Sequence, residues 1–234
     1  MRTIAYTAIT GDRDVLRHTG RSVESSDSFV CFADWSPPCD PYLGWRMRPA
    51  RHGADPIRAA KVHKALAHVE FPDSEVSLWM NGTHVLQEHW TVRALADRFL
   101  KDTDLATFRH PERTCAYQEA EHCLTRELDD ADRIRSQMAR YRAEGFPEQF
   151  GLAAVTVLLR RHTPALERFN RLWWEEIQLG SVRDQLSFPY VLWKLGLTWT
   201  PLDGYPFFSD FFHYVPHGGI VSEGGYRLES LARR

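Results

Sequence analysis

Short apolar runs closed by turn residues alternate along this chain with longer helical stretches. Thr3 to Thr10 is β-branched and aromatic and reads as a strand stopped by Gly11-Asp12. Ser28 to Phe32 reads as a second strand, closing on Ala33-Asp34. Pro37 to Gly53 reads as loop, with a short strand around Trp45 to Met47. Asp55-Pro56 opens a helix, because Asp caps orphan amides and Pro fits the first turn. That helix runs to about His68 and places Lys61, Lys64 and His68 on one face. Pro72-Asp73 breaks the chain before a strand over Glu75 to Met80, which stops abruptly at Asn81-Gly82. Helices follow over Thr91 to Leu100, Thr114 to Leu124, Asp129 to Glu144, Thr163 to Leu179 and Ser181 to Leu195. Strands are expected over Leu105 to Phe108 and Leu152 to Leu159. Strands alternating with helices predict an α/β class in one domain. The tail beyond Trp199 is rich in Pro, Gly and aromatic residues.

Composition narrows the function classes. A hydrophobic content of 43% over 234 residues is ordinary for a chain with a real core. The net charge of −2 argues against a protein held to nucleic acid by bulk electrostatics. Cys31, Cys39, Cys115 and Cys123 form no C-x-x-C pair, which disfavours zinc, and they read as reduced thiols. The apolar run near the N-terminus is too short for a signal peptide, and no stretch is long enough to span a membrane. The expected compartment is the cytoplasm.

The strand end at Trp79-Met80-Asn81-Gly82, with Arg58, Lys61 and Lys64 on the preceding helix, suggests a site for an anion, because open α/β sheets bind ligands outside the carboxyl ends of strands. Further segments are Tyr6-Thr7-Ala8-Ile9-Thr10-Gly11, Cys31-Phe32-Ala33-Asp34 and Asp55-Pro56. His110-x-x-Arg113, Tyr117-x-Glu119-Ala120, Gly145-Phe146-Pro147 and Arg183-Asp184-Gln185 complete the set. In this order they resemble the glycosyltransferase-like domain shared by the plant TOD1 and MUCI70 proteins, over about residues 3–195. That domain is similar in turn to GT-A glycosyltransferases, especially the group-eight type. The resemblance implies a mixed, mostly parallel sheet flanked by helices, in a single GT-A-like domain over residues 1–234. Its tail, residues 196–234, would complete the cleft.

By that resemblance the chain moves a sugar from a nucleoside-diphosphate donor, expected to be a UDP-sugar, to an acceptor the sequence does not name. Thr7, Ala8, Asp12 and Asp34 would hold the nucleoside, and Arg58, Lys61 and Lys64 the phosphates. Local turn chemistry is the alternative reading of the two aspartates, and a solvated helix face that of the cations. Group-eight enzymes hold Mn²⁺ or Mg²⁺ with aspartates at the strand end; Asn81, Thr83 and His217 occupy the corresponding places here. The related domain usually has aspartate where this chain has Asn81, which offers an oxygen without charge. His110, Arg113, Glu119 and Gly151 would face sugar or acceptor. Asp184 and Gln185 would be catalytic, with Asp184 as general base in an inverting enzyme or orienting the sugar in a retaining one. Ser181-x-x-Asp184 also fits a variant capping box. Two other readings stand beside this one: a non-catalytic nucleotide-sugar-binding protein on the same fold, and a metal-dependent hydrolase using Asp184, Glu119 and His110.

Overall fold

The structure is a computed structural model that describes residues 1–11, 14–20, 28–37, 39–51, 53, 55–217, 220–222 and 225–227. Its centre is a seven-stranded sheet in the order β3-β2-β1-β4-β7-β6-β8. The strands are β1 (Thr3–Ile9), β2 (Ser28–Ala33), β3 (Arg46–Pro49), β4 (Val76–Met80), β6 (Leu105–Thr107), β7 (Val157–Arg161) and β8 (Thr200–Pro201). Neighbours from β3 to β4 run parallel, and only β7 runs against the rest. The mixed, mostly parallel α/β architecture of a GT-A-like fold is therefore present.

β1 and β4 are buried on both faces, so they read as apolar runs rather than alternating ones. Their alternate residues build two cores. Tyr6 and Trp79 point to one face, which packs against α1 (Pro56–Ala65), α4 (Ala116–Thr125), α5 (Ala131–Ala143), α6 (Pro164–Leu179) and α7 (Asp184–Leu195). Leu78 and Met80 point to the other, which packs against α3 (Val92–Phe99). Asp55, Thr91, Asp130 and Thr163 each accept a hydrogen bond from a first-turn amide of the helix they precede. Such a cap is worth about 1 kcal/mol.

Several elements differ from expectation, each for a visible reason. The helix expected to reach His68 breaks at Leu66, and a short α2 (Ala67–Glu70) follows. The strand expected over Leu152 to Leu159 begins only at Val157, because Val155 adopts φ 47° and turns the chain. It then continues through Arg160, a fully buried guanidinium that donates to the Lys64 and Ala65 carbonyls at the end of α1. α7 starts at Asp184 without a side-chain cap. Ser181 is no capping box: its Oγ donates to Asp129 Oδ2 at 2.6 Å and accepts from the Arg183 amide. The tail also carries more strand than its composition suggests. β9 (Phe212–Tyr214) pairs with β5 (His84–Leu86), and β10 (Ile220–Ser222) with β11 (Gly225–Arg227). The four cysteines are free, with Cys39 exposed and the other three buried.

Candidate active site

β1 through β4 end on one edge of the sheet, where a cavity of about 630 Å³ opens. Ala8, Ile9 and Thr10 line it from the end of β1, and Trp79, Asn81 and Gly82 from the end of β4. Lys61 enters from α1 with Ile57 and Ala60, Val182 and Arg183 from the residues ahead of α7, and Asp14, Leu128 and His217 complete the wall. Gly82 has no room for a side chain: a Cβ there would lie 2.6 Å from Ile9 Cδ1 and 2.7 Å from Asp14 Oδ2.

The sharpest feature beside this cleft is a triad. Lys61 and Lys64, one turn apart on α1, both donate to Asp184 Oδ2, at 2.6 Å each. Asp184 is the first residue of α7, and its carbonyl accepts from Trp173 Nε1. Burial opposes ionisation of Asp184, but the two ammonium ions hold its carboxyl well below the usual carboxylate range. Burial pulls the Lys64 ammonium down to about 7, against the attraction of Asp184. The Trp79 and Trp173 rings lie 5.7 and 5.8 Å from Lys64 Nζ. Two amines on one carboxylate leave a surplus positive charge while Lys64 is protonated, and Lys61 is the member that borders the cleft. Arg58 is engaged elsewhere, donating to Asp55 Oδ2 and to the Gly180 carbonyl.

The residues expected to hold a metal do not assemble into one donor set. Asn81 lines the cleft, but its Oδ1 accepts from Trp79 Nε1 at 2.8 Å. Thr83 is buried and does not line the cleft; its Oγ1 lies 3.0 Å from His84 Nδ1. His84 Nε2 lies 2.9 Å from the Pro206 carbonyl, so it must carry the proton, and Nδ1 accepts from Thr83. Burial lowers the His84 imidazole to about 4. His217 does reach the cleft, where Nδ1 stands 3.3 Å from Asp14 Oδ2. Burial raises the Asp14 carboxyl, but His217, the Val15 amide and Arg17 bring it below its ordinary value. Arg17 also donates to the Gly82 and Pro216 carbonyls, tying both segments together. Among the described residues no three His, Cys, Asp or Glu side chains gather in a metal-binding group.

The other expected residues separate into two places. Thr7 is buried, and its Oγ1 has no hydrogen-bond partner. Asp34 accepts from the Gly11 amide at 2.8 Å and lines a second cavity of about 410 Å³ with Trp35 and Asp40. Asp12 lies outside the described residues. Glu119 is buried at the base of a polar cluster, where Arg113 Nε donates to it at 2.5 Å and His110 Nε2 stands at 3.6 Å. His110 Nδ1 accepts from the Glu112 and Arg113 amides, and burial lowers its imidazole. His110, Arg113 and Glu119 do not line the cleft, nor does Gly151, whose φ of 107° alone calls for glycine. Gln185 Oε1 accepts from Arg183 Nη2 at 3.2 Å. Asp14, Arg17 and Arg183 were not picked out by sequence reasoning as site residues. Asp14 lies two residues beyond the Gly11-Asp12 turn signal with no motif of its own, and Arg183 adjoins the two residues that the resemblance singles out.

Comparison with known proteins completes the picture. A model of the TOD1/MUCI70 glycosyltransferase-like domain matches residues 47–208. The Arabidopsis thaliana protein "Probable hexosyltransferase MUCI70" is 32% identical over 159 residues, which is 63% of this chain and 27% of that protein. "Alkaline ceramidase TOD1", also from Arabidopsis thaliana, is 25% identical over 154 residues, 62% of this chain and 32% of that protein. The matched region thus spans about a third or less of the length of these curated relatives.

Proposed function

Because this chain belongs to the TOD1/MUCI70 glycosyltransferase-like domain family, we propose that it transfers a hexosyl unit from a nucleoside-diphosphate sugar to an acceptor hydroxyl. The donor is taken to be a UDP-sugar. The observation that carries this reading is Lys61, an ammonium held at the cleft by a buried carboxylate and backed by a second ammonium. As the sugar–oxygen bond breaks, negative charge grows on the leaving diphosphate, and a fixed cation beside it lowers the barrier. A carboxylate held as far down as Asp184 is a poor proton acceptor. Its part in this scheme is to orient Lys61 rather than to act as general base. Asn81, Thr83 and His217 do not fit a Mn²⁺ or Mg²⁺ centre as they stand, because the Asn81 oxygen is engaged by Trp79 and Thr83 is buried against His84.

Calorimetric titration with UDP and a panel of UDP-sugars, with and without Mn²⁺, tests the donor assignment. Binding in the micromolar to millimolar range with sugar transfer or hydrolysis supports it. Absence of binding and of turnover across the panel overturns it.

The engaged Asn81 oxygen favours a second reading, a nucleotide-sugar-binding protein without turnover. Asn81→Asp separates the two. Metal-dependent turnover appearing in an inert parent supports the binding protein. A parent that already turns over, and whose activity Lys61→Met abolishes without unfolding it, supports the enzyme. The ceramidase name of one relative would instead require release of a fatty acid from ceramide, which the same assays can include.

A further inference from the structure

We infer that Arg183 is a second phosphate-binding cation of the cleft, reading the terminal phosphate of a nucleoside diphosphate, and that the buried Glu119 positions it. The inference rests on the donor reading above. Arg183 lines the cavity that Lys61 also lines, and it directly precedes Asp184, so its backbone is fixed relative to the lysine triad. Its surroundings differ from those of the other arginines in this part of the molecule. Arg58 and Arg17 each hydrogen-bond a carboxylate, at 2.6 and 3.1 Å. Arg183 donates instead to a neutral amide oxygen, Gln185 Oε1, at 3.2 Å. Glu119 Oε1 stands 3.9 Å from Nη2, beyond hydrogen-bond distance, and accepts from Cys123 Sγ, while the other oxygen, Oε2, is held at 2.5 Å by Arg113. Arg183 Nε is buried without a hydrogen-bond partner. The guanidinium charge is thus anchored but not neutralised at hydrogen-bond distance.

Lys61 and Arg183 together place two incompletely neutralised cations on one 630 Å³ cavity, and a nucleoside diphosphate brings two charged phosphates. The first turn of α7, whose preceding residue offers no side-chain cap, adds partial positive charge at the same end. Arg183 lies beside Asp184 and Gln185 and is not among the residues that line the second cavity with Asp34 at the end of β2. That puts it at the sugar end of a donor rather than the nucleoside end, hence on the terminal phosphate. Glu119 acts from behind: with Arg113 and His110 it forms the buried support against which Arg183 rests. His110, Arg113 and Glu119 on this account touch no ligand.

The test compares dissociation constants for UDP and UMP in the wild type, Arg183→Gln, Arg183→Lys and Glu119→Gln, with a thermal melt of each. Arg183→Gln should weaken UDP about tenfold or more, the scale of a charge-assisted hydrogen bond, and leave UMP unchanged. Retained UMP affinity also shows that the variant folds. Arg183→Lys should fall between, since it keeps the charge and loses the fork. Glu119→Gln should weaken UDP several-fold at constant UMP affinity, which a merely structural role would not do. A UDP-to-UMP ratio unchanged in Arg183→Gln, or in Arg183→Lys if the former fails to fold, overturns the assignment. An unchanged ratio in Glu119→Gln overturns the positioning role. A wild type that binds neither nucleotide overturns the donor reading itself, and this inference with it.

Discussion

Asp184→Asn should expose how the lysine triad is held together. The two ammonium nitrogens lie no more than about 5 Å apart, since each is 2.6 Å from the same carboxylate oxygen. At an effective dielectric of about 20, their repulsion at that distance is about 3 kcal/mol. In the native protein Asp184 more than offsets it. Breaking a buried pair by removing one partner typically costs about 3–5 kcal/mol. The variant has one route of relief, which is to release the Lys64 proton. That ammonium already titrates near 7 rather than 10.5, and without Asp184 it falls further. In the unfolded chain Lys64 keeps its ordinary value. Between the folded value and 10.5 the unfolded state therefore binds more protons, and stability rises with pH. In the wild type that rise begins near pH 7, and in the variant it begins lower. Asp184 has a lowered folded value, so its own contribution is present above the unfolded 3.8 and is lost only as pH falls through the folded value. Across pH 6 to 9 it is constant.

The expected result is a loss of about 3 kcal/mol at pH 6 that shrinks by up to about 1.4 kcal/mol by pH 9, where Lys64 is neutral in both proteins and a charged hydrogen bond to Lys61 remains lost. Urea denaturation at pH 6, 7.5 and 9 measures it. Adding Lys64→Met to the D184N background should recover much of the loss at pH 6, because no unpaired ammonium is left buried. A gap that stays constant from pH 6 to 9, or a double variant no more stable than D184N, would refute the account.

Lys61→Met should leave stability within about 1 kcal/mol, because Lys64 still pairs with Asp184, while weakening UDP about tenfold or more by titration. Gly82→Ala forces a methyl against Ile9 and Asp14 and should cost about 1–3 kcal/mol in denaturant melts, with donor affinity falling alongside. Acid should destabilise the protein between pH 6.5 and 4. Burial lowers His84 and His162 from 6.5 to about 4, so in this window the unfolded chain takes up protons that the folded one refuses. The slope is about 1.4 kcal/mol per pH unit per group at most, and His84→Gln should flatten it by up to that amount in thermal melts, the other lowered imidazoles, His68, His110 and His162, keeping the rest.

Much of this fold could be read from the chain because its central strands are buried on both faces and end in turn residues. β1, β2 and β4 were legible for that reason, and α1 through its Asp-Pro cap. β7 was displaced because nothing local announces that Val155 turns the chain or that Arg160 is buried. Both facts depend on groups far along the sequence, the carbonyls of α1 above all. β5 and β9 are three-residue strands that each need the other, from opposite halves of the chain. The site shows the same division. Spacing placed Lys61 and Lys64 on one face, but their meeting on Asp184 is tertiary. Thr83 follows Asn81 closely, yet the chain turns it toward His84 and away from the cleft.

Asn81 gains a role from these contacts that its place at a strand end did not suggest. Its Oδ1 holds the Trp79 indole, and the same ring stands over Lys64 Nζ. A continuous line runs from Asn81 through Trp79 and Lys64 to Asp184 and Lys61. An aspartate at position 81 could accept the same indole hydrogen bond, but it would also add a negative charge beside a cleft whose surplus is positive. It would pull the Lys64 ammonium up and compete with an anionic ligand for Lys61. A neutral acceptor orients the ring without that competition. The amide at 81 and the cleft-lining ammonium of Lys61 are therefore consistent parts of one electrostatic arrangement, in which, on the proposed donor reading, fixed cations rather than a carboxylate at position 81 would face the anion.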